Sequence, residues 1–208
     1  LSPIIENLKA LRNVGFMGLA VIKSTVEPGT CTKLEKQFGI TIVHNPEFLT
    51  ERTAYEDFDS QTHIVIGSTQ RQGSDYIRVH YSKLSELYKV LYPAAEISLC
   101  TAEESEAMKL MCNNFYAMKV QIFNEFNMLC QRTGADYDRV KELMLKNNWI
   151  NPMHTNVPGP DGKFSYGGHC FPKDTKALNH LMKTLGTPYK VLEACIDERD
   201  EMREAKLY

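Results

Sequence analysis

The chain has 208 residues, enough for one large domain or two small ones. With 43% hydrophobic and 24% charged residues, it has the make-up of a globular protein rather than a disordered or fibrous one. A formal net charge of −2 gives no general pull toward nucleic acid or an anionic membrane. No apolar run approaches a membrane span, and no signal-peptide pattern opens the chain. The six cysteines show no C-x-x-C pair and no compact Cys/His cluster, which argues against a disulfide framework and a metal site. The reading is a protein of the reducing cytoplasm. His169 beside Cys170 does not change it, because adjacent side chains rarely converge on one ion without further ligands.

Along the chain, Gly18–Ser24 holds a short buried-strand pattern, and Thr30–Phe38 is helical, with Gly39 as its stop. Ile40–Val43 reads as a second strand and His63–Ile66 as a third, closed by Gly67. Asp75–Leu91 spaces Ile77, Tyr81, Leu84, Tyr88 and Leu91 as a helix does, and Glu96–Leu99 is a fourth strand. Strands alternating with helices predict a parallel α/β sheet. At Thr101 the pattern changes. No Gly or Pro interrupts the run from there to Arg132, and acidic residues fill its first turn. Its apolar stripe, Ala107, Leu110, Met111, Phe115, Met118, Ile122, Phe126 and Leu129, predicts one long helix that buries part of itself against a second copy or against its own domain. Asp136 caps a further helix over 137–146, residues 151–166 read as a loop, and helices are expected over 172–185 and 189–206. The boundary predicted at 101 gives domains 1–101 and 102–208.

Chemistry concentrates in Gly167-Gly168-His169-Cys170-Phe171-Pro172-Lys173-Asp174. Two glycines allow a sharp bend and close approach to a ligand. Pro172 suits a helix's first turn, so Cys170 is placed just before a helix N-terminus, where partial positive charge favours the thiolate. A lone cysteine is more often a small buried hydrophobe, but the flanking residues favour a nucleophile here. Lys109 and Asn113 are four apart and share a helix face. Taken alone they read as a solvated face, and taken as function they read as donors to a developing oxyanion. Glu47 and Glu51 are also four apart, behind Pro46, and Glu47 reads either as an acidic residue of a helix's first turn or as a proton acceptor. Thr25 follows the first predicted strand, at the carboxyl end where open α/β sheets place ligands. Asp174 lies one turn past Cys170 and reads as a proton relay or as a stabiliser of the helix start.

The Gly-Gly-His-Cys-Phe-Pro-Lys-Asp run resembles the active-site signature of the UDP-glucose/GDP-mannose dehydrogenase family. Lys23-Ser24-Thr25-Val26-Glu27-Pro28-Gly29-Thr30, Asn45-Pro46-Glu47-Phe48-Leu49-Thr50-Glu51 and Glu103–Asn114 resemble further family segments in the expected order, from about Val21 onward. The resemblance implies a partial Rossmann-like sheet, followed by an all-α central domain through which the family dimerises. It implies NAD as cofactor, touched by Ser24, Thr25, Val26 and Glu51. It also implies a nucleotide-sugar substrate, UDP-glucose foremost, touched by Glu47, Phe48, Leu49, Lys109, Asn113, Phe164, Ser165, Tyr166 and Gly167, with backbone amides of 164–167 shaping the sugar site. The reaction implied is double oxidation of a primary alcohol to a uronate through a thiohemiacetal and a thioester on Cys170. Lys109 and Asn113 would stabilise the oxyanions, while Thr25, Glu47 and Asp174 would hold the water of hydrolysis. The chain departs from the family in three respects. No G-x-G-x-x-G follows an early strand, the family's C-terminal nucleotide-sugar domain has no counterpart, and Arg52 stands where the family has Gly. The expectation is therefore a fragment truncated at both ends. A non-catalytic dimerising fragment, and the same chemistry on GDP-mannose or UDP-N-acetylmannosamine, are the alternatives.

Overall fold

A computed structural model describes residues 1–69 and 75–204, with the side chains of Glu51, residues 75–80 and Glu204 left outside the description. The predicted Ile77 position falls among these. The chain divides into two compact units, Leu1–Leu110 and Met111–Tyr208.

The first unit is an α/β layer. It runs α1 (Ser2–Asn13), β1 (Leu19–Ile22), α2 (Thr30–Phe38), β2 (Thr41–His44), a 3-10 turn at Glu51–Thr53, α3 (Ala54–Asp59), β3 (His63–Ser68), α4 (Asp75–Leu91) and β4 (Glu96–Thr101), and then the start of α5 (Ala102–Thr133). The four strands lie in sequence order, with β1 parallel to β2 and β3 parallel to β4. The β2–β3 pair corrects the all-parallel expectation. It runs antiparallel through Val43↔Ser68 and His44↔Gly67. The connection before β3 holds only short helical pieces, and strands buried on both faces carry the same apolar pattern in either direction. The sheet is covered on both sides, since Ile42 packs with Leu34, Phe38 and Cys31 while its neighbour Val43 packs with Ile64, Ile66 and Tyr88. The sequence reading assigned no element to α1, yet Leu8 is buried and Ile4, Ile5 and Leu11 pack against the same core. Gly67 lies inside β3 rather than closing it.

The second unit is helical: the remainder of α5, then α6 (Tyr137–Leu145), α7 (Cys170–Leu185) and α8 (Lys190–Glu204). Asp136 caps α6 as expected, its carboxylate accepting from the amides of Asp138 and Arg139. One core joins Ala117, Tyr166 and Cys195, and a second joins Phe123, Cys130 and Tyr137. The long loop before α7 is tied down by its own polar groups, with the Tyr137 hydroxyl donating to the Thr155 carbonyl at 2.7 Å. No helix among the described residues is long and apolar enough to cross a membrane.

Candidate active-site residues

In the first unit the segment after β1 exposes Ser24 and leaves Thr25 half-buried, while Val26 is a core residue at 6% exposure. Val26 can therefore offer a ligand only its backbone. The segment is fixed from β2. The His44 ring, wholly buried, bonds the Ser24 carbonyl through Nε2 at 3.2 Å and the Ser105 hydroxyl through Nδ1 at 2.8 Å. A carbonyl can only accept, so Nε2 carries the proton and Nδ1 accepts from Ser105. Burial lowers the His44 pKa to about 4, with the Lys109 and Lys23 cations adding to the effect and the Ser24 bond opposing it. Lys23 Nζ donates to Asn45 Oδ1 at 2.9 Å, and burial lowers its pKa against the attraction of Glu47. Two hydroxyls at the carboxyl end of a parallel strand, on a backbone held from behind, suit contact with a dinucleotide's polar groups. Glu51 opens the 3-10 turn, and its side chain lies outside the described residues.

Glu47 stands on no helix. Residues 45–50 are irregular, and its Oε2 accepts from the Leu49 amide at 2.6 Å. Its other oxygen lies 3.9 Å from Lys109 Nζ, which also sits 5.0 Å above the exposed Phe48 ring. Lys109 is 5% exposed, so the solvated-face reading fails for it, because a lysine this buried needs a partner.

In the second unit Cys170 is exposed, as the first residue of α7. One turn on, Asp174 is 1% exposed and bonded on both oxygens, to Asn113 Nδ2 at 2.7 Å and to Lys173 Nζ at 2.7 Å. The Asn114 side chain donates to the Asp174 carbonyl at 3.1 Å. Asn113 is buried at 6% exposure, so it too leaves the solvated-face reading. Ser165 and Tyr166 are buried and Phe164 and Gly167 half-buried; the Ser165 amide is taken by Asn124 Oδ1 at 2.9 Å.

Among the predicted residues, the structure joins Glu47 with Lys109 and Asn113 with Asp174. Sequence reasoning passed over His44, Asn45, Gln121, Asn124, Arg199 and Arg203. Gln121 and Asn124 carried a signal, because amides on the inward face of an apolar helix need polar partners. No group of three or more metal-ligating side chains occurs among the described residues.

Residues 4–91 match the family model described as UDP-glucose/GDP-mannose dehydrogenase family, NAD binding domain, and residues 103–200 match the same family's central domain. The match from residue 4 corrects the expectation that likeness begins near Val21. A UDP-glucose 6-dehydrogenase of Rickettsia bellii is 35% identical over 188 residues, covering 88% of this chain and 41% of the relative. Among solved structures, a UDP-glucose dehydrogenase from Pyrobaculum islandicum is 30% identical with a TM-score of 0.79, covering 95% of this chain and 44% of that one. A GDP-mannose dehydrogenase from Pseudomonas aeruginosa is 26% identical with a TM-score of 0.60, covering 98% and 48%. The chain thus spans less than half the length of these relatives. With two of the family's domains matched in order and the same fold in solved relatives, the chain belongs to the UDP-glucose/GDP-mannose dehydrogenase family.

Proposed function

We propose that the chain carries catalytic residues of an NAD-dependent dehydrogenase that oxidises the C6 hydroxyl of UDP-glucose to UDP-glucuronate. Bound NAD would supply the hydride acceptor for each of two oxidations. The chain's own residues do the rest. The hydroxyl gives its proton to water, and Lys109 and Asn113 donate to the alkoxide oxygen that this leaves, until loss of the carbon-bound hydrogen as hydride gives the neutral aldehyde. The Cys170 thiolate adds to the aldehyde carbon, forming the C–S bond of a thiohemiacetal. Loss of its carbon-bound hydrogen as hydride leaves a thioester, and water breaks the C–S bond to give the carboxylate and the free thiol. Glu47 and Thr25 hold that water, with Glu47 taking its proton. Asp174, bonded on both oxygens, holds Asn113 in place. Ser24 and Thr25 serve the cofactor.

The observation that carries this reading is the exposed Cys170 in the first turn of α7, one turn from an Asp174 clamped to Asn113. The relatives named UDP-glucose 6-dehydrogenase favour UDP-glucose over GDP-mannose or UDP-N-acetylmannosamine. A cytoplasmic setting is supported by six free thiols. A homodimer is supported by Met111, Phe115, Ile122 and Leu129 on α5, 59%, 65%, 42% and 61% exposed. Beside them, a groove of about 550 Å³ is lined by Met118, Leu178, Met182 and Tyr189 among others.

Site-resolved iodoacetamide kinetics test the nucleophile. Cys170 should alkylate faster than Cys100 and Cys112, the two other thiols that are not buried, and UDP-glucose should protect it. Cys170 reacting no faster than these two, with no protection, would return the chain to the reading of a non-catalytic dimerising fragment.

A further inference from the structure

The approach to Cys170 is held by an unusual number of side chains. Ser165 has φ 56°, the left-handed region that a residue with a Cβ adopts at a cost. Every polar group it offers is taken. Its amide donates to Asn124 Oδ1 at 2.9 Å, its hydroxyl donates to Gln121, and its carbonyl accepts from Arg203 at 3.0 Å. The next carbonyl, of Tyr166, accepts from Arg199 Nε at 3.2 Å, and the Arg199 guanidinium stacks over the Tyr166 ring at 5.6 Å.

Arg199 and Arg203 are four apart on α8, so one helix face grips two consecutive carbonyls. Arg203 does more. Its Nη2 also pairs with Asp161 at 2.8 Å, and its guanidinium lies against Gly167. A Cβ on Gly167 would stand 2.5 Å from Arg203 Nη1 and 2.7 Å from Cζ, so a side chain there would push the Arg203 guanidinium away. Gly168 follows at φ 73°, and two residues later the chain enters α7 at Cys170. Gly167 and Gly168 link the Ser165 turn to α7, and Arg203 covers the Gly167 side of that link.

We propose that Arg203 is a positioning residue for Cys170. It fixes the strained Ser165 turn and the Gly167–Gly168 link to α7, and so sets where the thiol stands relative to the amides of the first turn of α7. The inference rests on the reading of Cys170 as nucleophile. The thiolate gains from those amides only while it is held in line with them.

The test is the pH–rate profile of Cys170 alkylation in the full 208-residue chain and its variants Arg203→Gln, Arg203→Lys and Asp161→Asn. The buried thiols Cys31, Cys130 and Cys195 report intact folding by staying protected. Arg203→Gln should displace the profile upward by about half a pH unit, about threefold slower at neutral pH. Arg203→Lys keeps the charge without the planar fork, so it should not restore the profile. Full restoration by Lys would overturn the positioning role in favour of simple charge. A superimposable profile for a folded Arg203→Gln protein would overturn the proposal outright. Should Arg203→Gln unmask the buried thiols, Asp161→Asn decides, since it loosens Arg203 from the exposed side. A smaller upward shift supports the proposal, and no shift ends it. The wild-type ranking of thiols tests the nucleophile reading separately, because it involves no change at Arg203.

Discussion

The side-chain amide of Asn113 donates to Asp174 Oδ2 at 2.7 Å, joining α5 to the first turn of α7. The two residues are 61 positions apart in sequence, and both are buried. Each was legible as a candidate, and their bond was not. It makes Asp174 the group that orients Asn113.

Asp174→Ala should therefore destabilise the protein, because it strands the Asn113 donor in the interior. The expected loss is about 1–3 kcal/mol, the cost of an unmet buried hydrogen-bonding group. Asp174→Asn, which can still accept from Asn113, should lose less. Urea denaturation of the three proteins checks this, and equal midpoints for Ala and wild type would refute it.

His44 predicts the acid limb of stability. Its folded pKa of about 4 lies below the ordinary 6.5, so the unfolded chain takes the proton first. Its contribution is complete above about pH 6.5 and is lost as pH falls through about 4, at up to about 1.4 kcal/mol per pH unit. Glu106 acts in the opposite sense, since burial raises its pKa and its share of stability falls as pH rises. His44→Gln should be less stable at pH 7 and show a shallower fall in Tm between pH 6.5 and 4. Parallel Tm curves for the two proteins would contradict the assignment.

The exposed apolar stripe of α5 predicts a homodimer. Light scattering at micromolar concentration should give twice the chain mass of 23.7 kDa. Phe115→Glu, which places a charge in the stripe at a 65% exposed position, should give a folded monomer. A monomeric wild type would remove the idea.

The 208 residues contain no G-x-G-x-x-G turn to hold a pyrophosphate. Both oxidations need the nicotinamide held at near-attack distance. The chain alone should thus form no measurable NADH from NAD and UDP-glucose, while the same residues within a longer protein that supplies the turn should. NADH formation by the isolated chain, abolished by Cys170→Ser, would show that the turn is dispensable.

Local pattern alone determined much of this protein. The Thr30–Phe38 helix with its Gly39 stop, the helix from Asp75 to Leu91 and the unbroken helix after Thr101 all follow from apolar spacing and caps, which act over a few residues. The Gly-Gly-His-Cys run stood out by its glycines and its Pro-started helix, whereas the Lys109/Asn113 pair gained a functional reading only from the family resemblance, since spacing alone reads as a solvated face. The spacing of Ile4, Ile5, Leu8 and Leu11 also carries the α1 signal. Tertiary structure decided what depends on distant partners. The antiparallel β2–β3 pairing, the burial of Lys109, the His44 tautomer and the Arg203 grip on Ser165 each join residues 20 or more positions apart. A hydrogen bond across such a separation leaves no periodicity in the sequence. It is fixed only when packing brings a buried donor and acceptor within reach and excludes the water that would otherwise satisfy both.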